Sequence, residues 1–405
     1  MTTGGSDPAS AAPAAPAAPA GGDPAAPAGG DPTAPAAPAA PAGGDPAGPA
    51  APGGDQDAPL ASGPAGIRAG AVTDWFVEHV PEARPPLGFV PIRGGQSNLT
   101  YRVTDQAGGS WVLRRPPLSG VLPSAHDMGR EHRIITALGP TEVPVPLTYG
   151  LCTDETVNGA PFYVMEHVDG IVPREEASVE QQFGPGERRA ASLSLVGTLV
   201  ALHRVDPAAV GLDQLGRPGG YAERQLRRWQ RQWEQSRTRD LPAVDEVHRR
   251  LAAGIPEETG PAAIVHGDYR LDNVILSPAG QVRAVLDWEL CTLGEPLADL
   301  GLLLVYWSEP TDETLPLGTA PTRLPGFPSR SELAAAYAEA SGRPVDQLDY
   351  FVAFGYWKLA VILEGVYARF AAGAYGTGDT AYQAFPQLVA RLADLALHAV
   401  ERAGR

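Results

Sequence analysis

Apolar residues fall into short blocks between residues 89 and 166 and into longer helical stretches after residue 188. Phe89-Val90-Pro91-Ile92 predicts a strand, Gly94-Gly95-Gln96-Ser97-Asn98 a glycine-rich turn, and residues 99–103 a second strand. A third strand is expected over 111–114, stopped by Pro116-Pro117. Phe162-Tyr163-Val164-Met165 opens another over 162–166. A short helix is expected over 74–80 and an amphipathic one over 130–138.

Residues 188–204 predict a helix with a broad apolar face, and residues 221–236 a polar helix with Trp229 and Trp233 at i, i+4. A strand-rich passage follows over 263–289, and helices resume from residue 331. The strongest apolar run, 351–366, contains Lys358 and Glu364, so it predicts a buried helix and not a membrane span. The order is a two-lobed α+β plan. A small β-rich N-lobe is expected over 67–168 and a larger helical C-lobe over 169–405.

Residues 1–66 are almost entirely Ala, Pro, Gly and Asp, with Gly-Gly-Asp recurring from Gly21, Gly29, Gly43 and Gly53. Such a segment buries too little apolar surface to offset its ordering entropy, so a disordered, solubilising tail is expected. The first five residues show no basic or apolar signal-peptide pattern. The formal net charge is −16, and the six Asp residues before Arg68 account for six of those charges, leaving −10 on residues 68–405. That acidity, without a basic stripe, argues against nucleic acid as a partner. Cys152 and Cys291 are far apart and form no CxxC pair, which fits a reducing cytoplasmic setting. Lys358 is the only lysine; every other basic residue is arginine. A P-loop requires Gly-Lys-Ser/Thr, so P-loop kinases and ATPases are excluded.

The densest chemical signal is Ile264-Val265-His266-Gly267-Asp268-Tyr269-Arg270-Leu271-Asp272-Asn273. A short apolar strand delivers His-Gly-Asp to a loop, and Asn273 follows Asp268 by five positions. A hairpin across Ser277-Pro278-Ala279-Gly280 then leads to Asp287-Trp288-Glu289. Phosphoryl transfer needs an oriented hydroxyl, an acceptor for its proton and neutralisation of polyphosphate charge. A loop carboxylate, an amide five residues on and a second carboxylate across a hairpin meet that need. The protein-kinase set H-R-D-x-x-x-x-N and D-F-G has the same spacing logic.

These motifs resemble those of the aminoglycoside phosphotransferase-like (choline-kinase-like) small-molecule kinases. The resemblance runs over roughly residues 70–400 and is nearest the subgroup found fused to acyl-CoA dehydrogenases. Its further carriers are Val112-Leu113-Arg114-Arg115-Pro116-Pro117, residues 286–300 (LDWELCTLGEPLADL) and residues 357–370 (WKLAVILEGVYARF). It implies a protein-kinase-like two-lobed fold and an enzyme using ATP, or GTP, with magnesium (Mg2+). It implies Asp268 as the base toward the acceptor hydroxyl and Asn273 and Asp287 as oxygen ligands of the metal. Glu289 would contribute through water, while Asp299 would accept loop backbone amides and His266 would orient the loop.

On the nucleotide side, the resemblance makes Gly94, Gly95, Gln96, Ser97 and Asn98 a phosphate-facing turn. Arg114 stands where protein kinases keep a strand lysine, with Glu131 as its partner and phosphate clamping as its task. Glu166, His167 and Val168 match the interlobe hinge, whose backbone would meet the purine. Tyr269, Arg270, Trp288, Glu289, Trp357, Lys358, Glu364 and Tyr367 are candidates for the acceptor pocket, with plain core packing the alternative for the aromatic ones. The expected partner is a small-molecule hydroxyl acceptor, a hydroxyacyl-CoA or hydroxy acid before an aminoglycoside or macrolide, and no membrane. A nucleotide-binding pseudokinase is the rival of another class.

Overall fold

The computed structural model describes residues 63–92, 98–118, 127–258, 260–313, 320–372 and 381–404. Nearly all of the expected tail, and Gly94, Gly95, Gln96 and Ser97, lie outside the described residues.

Five antiparallel strands form the first layer: β1 (Gly88–Pro91), β2 (Leu99–Thr104), β3 (Ser110–Arg115), β4 (Thr148–Cys152) and β5 (Phe162–Glu166), in the order β1-β2-β3-β5-β4. Side chains alternate across this sheet. Trp111, Leu113, Phe162 and Val164 join Val72, Trp75 and Phe76 of α1 (Ala69–His79) in one core. Val112, Tyr163 and Met165 join Ile134, Ile135 and Leu138 of α2 (Met128–Leu138) in the other. Both faces of β5 are therefore buried, which is why it reads as an unbroken apolar run. Arg114 shares the face of Val112 and so points toward α2.

Helix α1 starts five residues before the expected position. Its first residues, Ala69-Gly70-Ala71, carry no apolar stripe, and its start is fixed by a tertiary contact, the Arg68 N–H donating to Asn158 Oδ1 at 2.9 Å. Strand β4 was not expected, because Val145-Pro146-Leu147 and Gly150 interrupt any alternation.

After the short helices α3 (Glu155–Asn158) and α4 (Glu176–Gln182), the chain becomes helical. It forms α5 (Pro185–Arg204), α6 (Tyr221–Ser236), α7 (Pro242–Ala253), α8 (Pro296–Tyr306), α9 (Arg330–Ser341), α10 (Leu348–Ala371) and α11 (Phe385–Ala403). Proline at the first turn starts α5, α7, α8 and α11, where its missing N–H costs no bond. Two small ladders are set among them: β6 (Ala263–Val265) with β9 (Thr292–Gly294), and β7 (Val274–Leu276) with β8 (Val282–Val285).

Among the described residues, α10 is the one helix long and apolar enough to cross a membrane, and 89% of its most apolar window is buried inside the protein. Gly301 and Gly355 allow it to cross α8 closely. A Cβ at Gly301 would lie 2.7 Å from the Phe351 carbonyl carbon, and one at Gly355 would lie 2.9 Å from Val305 Cγ2.

Candidate active site

Strand β6 ends at Val265 and hands the chain to His266-Gly267-Asp268. The turn requires glycine: Gly267 has φ +83°, and a Cβ there would lie 2.6 Å from the Leu290 carbonyl oxygen. Asp299, in the first turn of α8, accepts the N–H groups of His266 at 2.6 Å and Gly267 at 2.8 Å. His203 Nε2 approaches the same carboxylate at 3.3 Å while its Nδ1 meets the Tyr337 hydroxyl at 2.8 Å. Burial pushes the Asp299 carboxyl up, but the His203 hydrogen bond, the neighbouring His203 and His266 rings and the Gly267 amide outweigh it, and the net shift is downward.

His266 Nε2 donates to the Leu286 carbonyl at 2.9 Å, so Nδ1 is the acceptor for the Asp268 N–H at 3.2 Å. Both ring nitrogens are used in holding the loop, which makes the ring a brace and leaves it no site for proton transfer. Asp268 is buried, and its Oδ2 accepts from Asn273 Nδ2 at 3.0 Å and Arg270 Nε at 3.3 Å. Asn273 Nδ2 also donates to the Asp268 carbonyl at 2.9 Å. Arg270 pairs with Asp272 at 2.9 Å and lies 4.8 Å from the centre of the Tyr306 ring.

The β7–β8 hairpin brings Asp287 beside this loop, with the Leu286 N–H donating to the Asn273 carbonyl at 2.8 Å. Asp287 has φ +65°, the one non-glycine residue with positive φ among those described. Such backbone is held in place by its surroundings and concentrates at functional sites. Arg114 spans the cleft, with Nη2 on Asp287 at 2.6 Å and Nε on Glu131 at 3.1 Å. Burial raises the Glu131 carboxyl against the pull of Arg114. Burial, and then the charge of Asp287, push the Glu289 carboxyl well above its usual range. Asn98 Nδ2 donates to Glu289 Oε2 at 3.4 Å, and Arg130 holds the same turn through the carbonyls of Glu289, at 3.0 Å, and Cys291.

Residues expected from sequence are therefore brought together from both lobes: Asn98, Arg114 and Glu131 with Asp268, Asn273, Asp287 and Glu289. Their donor set fits a hard cation. The two bonds of Asn273 Nδ2 leave Oδ1 as the atom free to turn elsewhere, and carboxylate crowding around Asp287 and Glu289 is what a divalent ion would relieve. Farther along β5, the Glu166 N–H donates to the Leu147 carbonyl at 2.7 Å and its carboxylate accepts the Leu147 N–H at 3.2 Å. His167 lies 3.5 Å from Asp169, and Val168 follows β5 half-buried.

Several candidates for the acceptor wall are core residues instead. Tyr269, Trp288 and Trp357 are fully buried, and each satisfies its one polar hydrogen on a backbone carbonyl: Leu195 at 2.8 Å, Val285 at 3.0 Å and Val244 at 3.1 Å. Glu364 lies six residues beyond Lys358 on α10 and is occupied with the Thr238 amide at 2.8 Å and Arg239 at 2.9 Å. Tyr367 faces that same arginine. Lys358 does reach the loop, its Nζ donating to the Gly267 carbonyl at 2.8 Å. Nothing in the sequence pattern points to Arg130 as a support of the Glu289 turn, to Tyr306 beneath Arg270 or to His203 beneath Asp299, since these pairs join distant segments. A cavity of about 600 Å³ between α8, α9, α10 and α11 is lined by none of the site residues.

Known proteins resemble this chain in sequence and in fold. The chain is 36% identical over 326 residues to acyl-CoA dehydrogenase family member 11 of Gallus gallus, covering 78% of this chain and 41% of that protein. It is 36% identical over 318 residues to acyl-CoA dehydrogenase family member 10 of Mus musculus, covering 77% and 29%. The chain thus spans well under half the length of these relatives. A crystal structure from Ralstonia eutropha, provisionally described as an aminoglycoside phosphotransferase, superposes with a TM-score of 0.71 at 33% identity, covering 82% of this chain and 97% of that one. The family model described as the phosphotransferase enzyme family matches residues 88–343. With its kinase-like strand-rich and helical layers and this loop at their junction, the chain belongs to the phosphotransferase enzyme family.

Proposed function

We propose that this chain is a magnesium-dependent kinase of the cytoplasm that moves the γ-phosphate of ATP, or GTP, to a hydroxyl of a hydroxyacyl-CoA or hydroxy acid. In this reading residues 67–168 bind the nucleotide and residues 169–405 the acceptor. The observation that carries it is that Asp268, bonded to Asn273, and Asp287, bonded to Arg114, stand on adjoining loops that the Leu286 N–H ties together at the Asn273 carbonyl.

Asp268 Oδ2 is engaged by Asn273 and Arg270, which leaves Oδ1 to take the acceptor proton as the new O–P bond forms and the β–γ bridge breaks. Asn273 Oδ1 and Asp287 would hold magnesium, with Glu289 reaching it through water. When bound, the ion offsets charge on the phosphates. Arg114 is the phosphate clamp, held in place by Glu131, and Asn98, with Gly94, Gly95, Gln96 and Ser97, would face the phosphates. The backbone at Glu166, His167 and Val168 would meet the base.

The acceptor class follows from two considerations. Relatives named as acyl-CoA dehydrogenases contain the matched region as part of a longer chain, and a linked active site meets its neighbour's substrate or product at high effective concentration. The cations nearest Asp268 are Arg270, which it shares with Asp272, and Lys358. An anionic group on the acceptor would find these cations beside the base.

The test is mass spectrometry of hydroxyacyl-CoAs, hydroxy acids, aminoglycosides and macrolides after incubation with Mg-ATP or Mg-GTP, with Asp268→Ala as control. A phosphorylated hydroxyacyl product made by the wild type alone is expected. A phosphorylated antibiotic instead would replace the acceptor class, and nucleotide binding with no product from any acceptor would favour a pseudokinase.

A further inference from the structure

The peptide group joining Gly267 to Asp268 is held at both polar ends. Its N–H donates to Nδ1 of His266 at 3.2 Å, and its C=O accepts from Nζ of Lys358 at 2.8 Å. The peptide before it is fixed too, by the Gly267 N–H on Asp299 at 2.8 Å. A peptide is planar and leaves only φ and ψ to turn. The plane preceding Asp268 therefore sets the direction of its Cα–Cβ bond. Glycine at 267 offers no side chain to limit that rotation, so the constraint comes from these outside partners.

Lys358 reaches the loop from the middle of α10 and is 8% exposed. Its ammonium lies 5.4 Å from the centre of the Trp229 ring on α6. In a chain otherwise restricted to arginine, the one lysine stands where a compact charge meets a carbonyl and an aromatic face. A planar fork of five donors suits such a site poorly.

We infer that Lys358 is a positioning residue for the transfer proposed above, on which this inference rests: it locks the Gly267–Asp268 peptide plane from the C-lobe core and so aims the Asp268 carboxylate at the acceptor hydroxyl. Its charge strengthens the bond to the carbonyl. Burial lowers the Lys358 pKa to about 8; Asp268 on the loop raises it, Arg228 on α6 lowers it and Asp299 on α8 raises it. The ammonium is present below that value and is lost as pH rises through it.

Because the chain has one lysine, protein labelled with ε-¹³C-lysine gives a single side-chain resonance. That resonance is titrated in the wild type and in Asp268→Asn, and kcat and nucleotide Kd are measured for Lys358→Met and Lys358→Arg. The expected midpoint is about 8 in the wild type and lower in Asp268→Asn, where the neighbouring anion is gone. Lys358→Met is expected to lose kcat on the order of 100-fold with nucleotide Kd within about twofold. Lys358→Arg should recover part of kcat and abolish the decline that the wild type shows as pH rises through about 8.

A midpoint in the ordinary lysine range that ignores Asp268→Asn, or a Lys358→Met enzyme with wild-type kcat, overturns the inference. Parallel loss of kcat, nucleotide affinity and melting temperature without rescue by arginine also overturns it, since that is the signature of a plain core residue. A wild type that transfers no phosphate overturns the proposed reaction, while a shifted, Asp268-sensitive lysine resonance in that same protein still supports the clamp.

Discussion

Asp287 and Asp299 stand in one short stretch of sequence, and the fold treats their carboxylates in opposite ways. Asp299 is 1% exposed and receives the amides of His266 and Gly267 together with His203, so the protein itself satisfies it. Asp287 has a side chain 31% exposed, sits on left-handed backbone and faces Arg114, with Glu289 and Glu131 crowding the same space. A carboxylate saturated by backbone amides becomes part of the scaffold. One left with an arginine and surplus negative charge around it is prepared for a cation. Asp268 lies between these extremes, one oxygen held by the protein and the other left open.

The largest expected effect falls on that intermediate residue. Asp268→Asn keeps the shape and the bond to Asn273 but removes the proton acceptor. Transfer should drop by about 10³-fold or more, with nucleotide Kd unchanged. Turnover and calorimetric nucleotide binding, measured side by side, check this, and a variant with near-wild-type turnover would remove Asp268 from the role of base.

The contrast between the two outer aspartates is tested next. Asp299→Ala strands two buried amides and His203, and should lower folding stability by about 3–5 kcal/mol in denaturant titrations. Its carboxyl is depressed in the folded protein, so its contribution is complete above the unfolded value of 3.8 and is lost as pH falls through the lower folded value. The wild type should therefore shed stability over that acid window more steeply than Asp299→Asn does. Asp287→Asn should do the reverse of Asp299→Ala. Asparagine tolerates left-handed backbone, so melting of the free protein should change little, while affinity for magnesium-nucleotide falls about 10- to 100-fold. Equal destabilisation by the two variants would erase the distinction between them.

How far the sequence discloses this site depends on how local each part is. His266, Asp268, Asn273 and Asp287 are joined by a five-residue spacing and one hairpin, so strand delivery and turn chemistry make them legible together. Asp299 lies 33 positions from the His266 amide it accepts, and its role as an amide acceptor came only with the family resemblance. The Arg114–Glu131 pair was accessible through strand alternation and the next helix. The Arg114–Asp287 bond crosses 173 positions and was not, nor was Arg130 on the Glu289 turn, 159 positions away. The short strand before His266 is expected and is β6, whereas β9 is too short to carry a period of its own and only its pairing with β6 makes it a strand. Trp288 and Trp357 show a different limit. Composition cannot separate an aromatic pocket wall from an aromatic core, because both bury rings and both satisfy an indole N–H.

Arg114→Lys is the mildest and most discriminating substitution. A guanidinium reaches Glu131 through Nε and Asp287 through Nη2 at the same time. An ammonium on a shorter arm is one point of charge and holds one of them at a time. If Arg114 clamps phosphate while keeping Asp287 turned into the cleft, nucleotide KM should rise about 10-fold with kcat within about threefold of wild type. The loss should then be less than additive with Asp287→Asn, because the two side chains share one contact. Melting should stay near wild type, since the Asp299 cluster is untouched. A full loss of kcat would instead mean that the guanidinium acts on the transferring phosphoryl group itself. Unchanged KM and kcat would mean that the Arg114–Asp287 pair belongs to the scaffold, placing Asp287 beside Asp299 in kind.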